Sequence, residues 1–289
     1  MTLAQKTYVP DDSFEAYLEI FGMGDGVGNN DSVLTANINT LWGMNLSFPL
    51  LANHPPISDL TGIEDFDSIQ MLWCWDNQLT TLDVSQNTAL TELICTGNQL
   101  TSLDVSQNTA LDTLWCQNNQ ITSLDVSQNT ALIALYCQDN QLTSLDVSNN
   151  TLLEQLNCTD NYIECLDVSG ATALTYLQCG DNLLEQLNTK NGNWQNMTVV
   201  ANDNNLTCVE VDNLGQATNN WTFDSFTSIT TDCNYASPCA TVSAIEEHTT
   251  NKELLKVTDL LGRETKGKKN QPLFYIYDEG TVEKRIVIE

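Results

Sequence analysis

Between residues 57 and 212 the apolar positions fall into one pattern that returns every 21 residues. Cysteine occupies positions 74, 95, 116, 137, 158 and 179, and asparagine stands three residues behind each, from Asn77 to Asn182. Leucine or isoleucine holds 79, 100, 121, 142, 163 and 184, and the words Leu-Asp-Val-Ser begin at 82, 103, 124, 145 and 166. A fixed period of this length predicts a solenoid, in which each unit buries its core only against its neighbours. In Leu72-Trp73-Cys74 and its copies, alternation predicts a short strand with 72 and 74 inward and 71, 73 and 75 outward. Stacked copies form a parallel sheet with strands ~4.8 Å apart. The asparagine after each strand is suited to bond the backbone of the turn. The Asp-Val-Ser-x-Asn-Thr-Ala-Leu return is too short for a full helix, so extended or 3₁₀ turns are expected on the other side.

The ends of the array depart from the pattern, as terminal repeats must. Ile57, Leu60, Ile63, Phe66 and Ile69 sketch a first coil without Cys or Asn. Val199, Asn204, Leu206, Val209 and Val211 make a last coil displaced by one residue. Ahead of the array, Pro10-Asp11-Asp12-Ser13 precedes Phe14, Tyr17, Leu18 and Phe21, which predicts an N-capped amphipathic helix placed to cover the open first coil. The frame L-x-x-L-x-C-x-x-N-x-L-T-x-L-D-V-S-x-N-T-A resembles the leucine-rich repeat, with Cys in one Leu slot. The resemblance implies a leucine-rich-repeat solenoid, with a parallel β-sheet on one face and short 3₁₀ or extended returns on the other. Its segments would be a helical cap over 1–56, repeats over 57–212, a C-terminal cap over 213–239 and a small β segment over 240–289.

The ten cysteines do not share one role. Neighbouring members of the inward ladder come within disulfide range, yet parallel stacking points their Cβ vectors the same way, so they are expected as buried thiols. A 21-residue period is unlike zinc-ligand spacing. Cys208 and Cys233 are placed to form a disulfide that staples the C-terminal cap over the exposed end of the core, with Cys233–Cys239 as the rival pairing. Cys165 falls on the repeat position held by Thr81 and Ser102, outside the core, and is expected to be free.

Charge adds a division of the chain. The formal net charge is −28 over 289 residues, which argues against nucleic acid or an anionic membrane as partner. Lys6 and Lys190 are the only bases before residue 240, against 29 acids, whereas the remainder holds eight bases and nine acids. No apolar run approaches the roughly 20 residues of a spanning helix. In the last segment, alternation around Asp278-Glu279-Gly280 predicts a β-hairpin. Asp-Leu-Leu-Gly-Arg-Glu at 259–264, Tyr275-Ile276-Tyr277 and the terminal Glu-Lys-Arg-Ile-Val-Ile resemble the C-terminal sorting domain of proteins exported by the type IX secretion system of Bacteroidota. That resemblance implies contact with the secretion machinery through 252–289, export across the outer membrane and removal of the tail; the other reading is a small structural β-cap. Residues 1–5 lack a basic n-region and an apolar h-region, and Thr2-Leu3-Ala4-Gln5 resembles the end of a signal peptide at its cleavage point. The expected location is secreted, or the outer-membrane surface of a Gram-negative bacterium.

Catalytic chemistry finds little support. His54 and His248 are the only histidines and both lie outside the repeats, so no His-based triad can be assembled there. No phosphate-cradling glycine loop or nucleophile elbow is present, and carboxylates this plentiful carry no weight as glycosidase evidence. The outward columns are more informative. Trp73, Trp75, Ile94, Trp115 and Tyr136 gather on the N-terminal half of one face, with Tyr176 further along, among Gln, Thr and Asn neighbours. Exposed aromatics of this kind suit protein anchors or sugar stacking; cover by the N-terminal segment, or strand propensity alone, is the competing account.

Two acidic features bear on ions. Asp83, Asp104, Asp125, Asp146 and Asp167 stack about one strand spacing apart, which requires solvation, amide hydrogen bonds or a bridging cation such as calcium. Asp25, Asn29 and Asp31 place oxygen ligands in a glycine-rich loop, but Ala36 stands where an EF-hand has Glu, and an Asx-rich turn explains the same residues. No cofactor is expected apart from that calcium option. The function expected is non-catalytic binding of a protein or polysaccharide at the cell surface, as in adhesion. The alternatives are a structural surface protein whose acidic columns hold divalent ions and a carbohydrate-docking accessory of a hydrolase system.

Overall fold

The computed structural model describes residues 4–47, 55–193, 195–214, 221–224, 227–233 and 239, together with the backbone of 254–258, 272–277 and 282–286. The chain divides into two compact units, Met1–Ala240 and Thr241–Glu289. The first opens with strand β1 (Lys6–Tyr8), helix α1 (Asp12–Ile20), strand β2 (Ser32–Leu34) and a single helical turn, α2 (Thr35–Ile38). Strand β3 (Gly43–Asn45) follows, and then one three-residue strand per coil: β4 (Met71–Trp73), β5 (Glu92–Ile94), β6 (Thr113–Trp115), β7 (Ala134–Tyr136) and β8 (Gln155–Asn157). From there each coil carries two. β10 (Tyr176–Gln178), β12 (Thr198–Val200) and β14 (Trp221–Thr222) extend the main sheet, while β9 (Cys165–Asp167), β11 (Gln186–Asn188), β13 (Cys208–Glu210) and β15 (Ser228–Thr230) build a second. The main sheet has nine parallel strands and the second has four. This is the parallel-sheet solenoid that the 21-residue period predicts, with the strand face and short returns that the leucine-rich-repeat resemblance implies.

The inward columns explain why the coils stack. Leu72, Leu93, Leu114, Leu135, Leu156 and Leu177 are all fully buried, and the cysteine two residues after each is buried too. Those six thiols are free, and burial pushes Cys74, Cys116 and Cys158 up to about 12, so they remain protonated small hydrophobes.

The asparagine ladder does more than close its own turn. Asn119 donates from Nδ2 to the carbonyls of Cys116 and Gln117 in its own coil and of Cys95 in the coil before, at 3.1–3.2 Å. Its Oδ1 accepts from Leu100 N at 3.0 Å, again one coil back. Asn77, Asn98, Asn140, Asn161 and Asn182 repeat the arrangement. In the displaced last coil Asn204 does the same for Leu184 N and Cys179 O.

A second ladder runs through the returns. Asn87, Asn108, Asn129 and Asn150 are fully buried, and each spans two backbone carbonyls of the preceding coil. The next coil has Ala171 at this position, and Gly170 beside it packs so closely that a Cβ would lie 2.4 Å from Ser148 O.

Among the contacts that tie the N-terminal cap to the array, one carboxylate serves both sides. Asp11 caps α1 with Oδ1, which accepts from Ser13 N and Phe14 N, while Oδ2 accepts from Ser58 N, Ser58 Oγ and Asp59 N. Phe14 then stacks on Phe66 with ring centroids 6.1 Å apart, and Ile57, Leu60, Ile63 and Ile69 are buried beneath. Phe21 is different from expectation. It lies past the last helical turn, at the C-cap, and is 55% exposed. The sheet also begins earlier than residue 57, because β3 pairs in parallel with β4.

Returns of the middle coils are extended backbone with turns, and the 3₁₀ turn Ile63–Asp65 belongs to the first coil. The last four returns, by contrast, are hydrogen-bonded strands. Disulfides land on that second sheet. Cys208 on β13 bonds Cys233, with Cα atoms 5.9 Å apart. Cys165 is not free: it bonds Cys239 at a Cα separation of 5.3 Å. The physical reason is register, since Cys165, Gln186, Cys208 and Ser228 form one column of the second sheet, and the segment after β15 meets that column twice.

The second unit contains a three-stranded antiparallel sheet of β16 (Leu254–Thr258), β17 (Pro272–Tyr277) and β18 (Val282–Ile286). The antiparallel β17–β18 pair fits the hairpin alternation. Its turn at Asp278–Gly280, the words at 259–264, and His54 and His248 lie outside the described residues.

Replacing Asn119 by Ala strands one buried amide and at least two buried carbonyls across two coils. The expected loss is about 2–4 kcal/mol, read as a lower urea midpoint with an unchanged slope.

Candidate functional site

The outward face of the main sheet is set by register. Asn45, Trp73, Ile94, Trp115, Tyr136, Asn157 and Gln178 stand side by side on consecutive strands. Ile94 is only 8% exposed, lying between the Trp73 and Trp115 rungs, whereas Trp75 is 36% exposed and Trp73, Trp115 and Tyr136 are half-buried. The Trp115 and Tyr136 rings sit 5.3 Å apart and tilted by 36°, a geometry favoured by aromatic pairs. Trp73 Nε1 donates to Glu92 Oε1 at 2.9 Å, and the Tyr136 hydroxyl donates to Gln155 Oε1. Tyr176 is not part of this cluster. It lies two strands beyond Tyr136 and in the neighbouring column, with Met71, Glu92, Thr113, Ala134 and Gln155.

The parallel ladder continues past the strands, because Cys74 N, Asp76 N, Cys95 N and Gly97 N each donate to a carbonyl of the next coil. It carries the column of Trp75, Thr96, Gln117 and Gln138 onto the same face. Four polar atoms here are buried without a protein partner: Trp115 Nε1, Thr96 Oγ1, Gln117 Oε1 and Gln138 Oε1. Unpaired groups of this kind are costly.

A further column carries no hydrophobic signal in the sequence. Asp76, Asn118, Asp139, Asp160, Asp181 and Asp203 all have positive φ, between 50° and 57°, and Gly97 fills the equivalent place at 66°. Only Asp, Asn and Gly adopt this left-handed conformation readily, which explains the restricted choice immediately before each ladder asparagine. At position 97 a Cβ would lie 2.3 Å from Asp76 Oδ1, so glycine also makes room for that carboxylate. The signal was present as an Asx-or-Gly residue preceding every ladder Asn. Its consequence is a row of exposed carboxylates along one margin of the aromatic face. Burial, and the neighbouring charges of Asp160 and Asp203, raise the Asp181 pKa above the ordinary carboxylate range.

The acidic column on the return side is differently placed. Asp83, Asp104, Asp125, Asp146 and Asp167 each accept the backbone amide two residues on, at 2.8–2.9 Å. Hydrogen bonds from Ser85, Ser106 and Ser127 hold Asp83, Asp104 and Asp125 below the usual range. In the N-terminal loop, Asp25 is paired with Lys6 at 2.6 Å and its pKa is lowered by that contact. Asn29 and Asp31 adopt left-handed turns, and the acids that approach Asp31 are Asp12 and Glu15, with ligand atoms within 4.8 Å. Glu15 is itself committed to the amides of Asn30 and Asp31.

Comparison with known proteins agrees with the architecture. The family described as Leucine Rich repeats (2 copies) matches residues 88–129. No curated protein matches the chain. Internalin C2 of Listeria monocytogenes is similar at 22% identity over 80% of this chain and 100% of that one, with a TM-score of 0.61. A leucine-rich-repeat protein of Leptospira interrogans is similar at 20% identity over 68% of this chain and 57% of that one, with a TM-score of 0.54. The functional domain of InlJ from Listeria monocytogenes, described as including a cysteine ladder, shares 25% identity at a TM-score of 0.32; the likeness covers 80% of this chain and 63% of that domain. For internalin C2 and the Leptospira protein, the likeness at this level of identity is one of fold.

Asp181 and Asp125 should respond oppositely to neutralisation. A raised carboxylate pKa means the folded state holds the proton more tightly, so stability grows as pH falls through it; a lowered pKa means stability is lost as pH falls through it. Asp181→Asn is therefore expected to raise the melting temperature at pH 7 in low salt, with the gain shrinking toward 1 M salt, where screening reaches ~3 Å. Asp125→Asn is expected to lower it. Calorimetry of both variants at two salt concentrations checks the signs.

Proposed function

We propose that this protein is a non-catalytic binding protein that recognises a protein or polysaccharide ligand with the outward face of its main sheet. The observation that carries the reading is the column Trp73–Ile94–Trp115–Tyr136, held on consecutive strands, whose three aromatic side chains remain partly exposed among the described residues. Stacked repeats present extended, rigid surfaces of this kind, and aromatic residues in such positions dominate binding energy. Two disulfides fit an extracellular, oxidising compartment. Among the described residues no helix is long and apolar enough to cross a membrane.

The finer reading places the protein on the outer-membrane surface, or free outside it, with adhesion as its role. Its support is the sorting-domain resemblance of residues 252–289, together with the fact that Thr241–Glu289 is a compact unit of its own. In this reading the second unit is the export signal and the first is the cargo.

Two measurements test these statements. The double variant Trp73→Ala, Trp115→Ala is expected to lose about thirtyfold or more in retention on arrays of surface proteins and polysaccharides, given hot-spot losses of about 2 kcal/mol. Its melting temperature should stay near that of the parent; unfolding would instead make the tryptophans structural. Fusing residues 241–289 to a periplasmic reporter in a type IX-secreting host is expected to deliver the reporter outside the cell with the tail removed. Retention in the periplasm would rule out the export role.

A further inference from the structure

The charge and hydrogen-bond inventory of the aromatic face narrows its partner. No lysine or arginine stands on it: among the described side chains the bases are Lys6 and Lys190, paired with Asp25 and with Glu210 on the second sheet. An anionic ligand would find no counter-charge there. Along one margin Asp139, Asp160 and Asp181 stand on successive coils with no basic partner among the described residues, and Glu92 lies under Trp73 on the other side. Between the aromatic rings and that row of acids, Thr96 Oγ1, Gln117 Oε1 and Gln138 Oε1 are buried without partners. The exposed charge that the described residues offer on this face is acidic, and carboxylate oxygens are answered by the donor-only side chains of lysine and arginine. Exposed indole and phenol rings attract the same cations.

Resting on the binding role proposed for this face, we infer that its partner is a cationic polypeptide segment, with lysine or arginine side chains set beside apolar ones. The apolar residues dock on Trp115 and Tyr136, and the charges lie along Asp139, Asp160 and Asp181. A neutral glycan could stack on the same rings but would leave the carboxylate row uncompensated. Binding a cation there also offsets the desolvation, and relieves the repulsion from Asp160 and Asp203, that raise the Asp181 pKa. The net charge of −28 by itself would attract any base, so the inference concerns where the attraction is centred.

The test uses the full chain, immobilised, with three probes: a lysine–leucine peptide, its glutamate–leucine counterpart and a neutral glucan hexasaccharide. Two triple variants remove the same charge from opposite sides. Asp139→Asn, Asp160→Asn, Asp181→Asn is expected to weaken the lysine–leucine peptide about tenfold or more, the loss of about 1.4 kcal/mol. Asp83→Asn, Asp104→Asn, Asp125→Asn should change it less than about twofold, because those acids are remote from the rings and screened. Trp115→Ala, Tyr136→Ala should cost about tenfold as well, because cation–π attraction and apolar packing disappear together. Equal effects of the two triple variants would overturn the inference in favour of bulk charge. Binding of the hexasaccharide, but not of the lysine peptide, lost in Trp115→Ala, Tyr136→Ala, would overturn it while leaving the face as the binding site. If no probe responds to the aromatic substitutions, the binding role of the face falls with it.

Discussion

The whole array depends on a side-chain amide that can serve two coils at once. A three-residue strand followed by a tight inward turn leaves carbonyls pointing into an apolar interior, where each unpaired group costs on the order of 1–3 kcal/mol. The ladder asparagines answer those carbonyls in their own coil and in the coil before, and accept an amide from the coil before as well. No single coil is therefore complete without a neighbour. The left-handed residue ahead of each asparagine is part of the same device, since it turns the chain so that the amide enters the core. Cysteine fits the adjoining slot as a small, inert hydrophobe, and burial keeps it protonated.

With register fixed from inside, the outer columns are free to vary. Along one column the residues change from Trp and Ile to Trp and Tyr and then to Asn and Gln, without any change in strand pairing. The acids are less free. The backbone demands Asp, Asn or Gly before the ladder asparagine, and this chain most often uses Asp, so a requirement of conformation becomes a row of charge. On the return side, Asp-Val-Ser uses a carboxylate to bond the amide of its own turn, and its charge is stabilised there instead. Asp181 in the first row and Asp125 in the second thus meet opposite electrostatic surroundings.

The repeat fold was legible because its causes are local and periodic: the inward Leu and Cys columns, the asparagine behind each strand and the short returns all lie within one unit. Trp73, Ile94, Trp115 and Tyr136 could be placed on one face by counting. Counting also set Tyr176 further along and in the neighbouring column, where the sheet places it. Three features resisted. Asn87 and its copies sit in a polar return that reads as surface, yet they are fully buried because the returns also need their carbonyls paired. The Asp76 column was visible as a restricted alphabet, but its meaning lies in backbone angles. Cys165 looked free because its partner, Cys239, lies 74 residues away beyond the last repeat, and long-range closure leaves no periodic trace.

That last bond has a mechanical consequence. Cys239 joins the chain to β9, partway along the array, rather than to its final coil. Tension arriving from beyond residue 240 passes through sulfur into residue 165 and on toward the N-terminus. The coils between those two positions lie in a covalent loop off the load path, while Trp73, Trp115 and Tyr136 stand on coils that carry it. A molecule held at one end and gripped on its aromatic face would thus be pulled through its most regular repeats, where each rung is stitched to the next by asparagine.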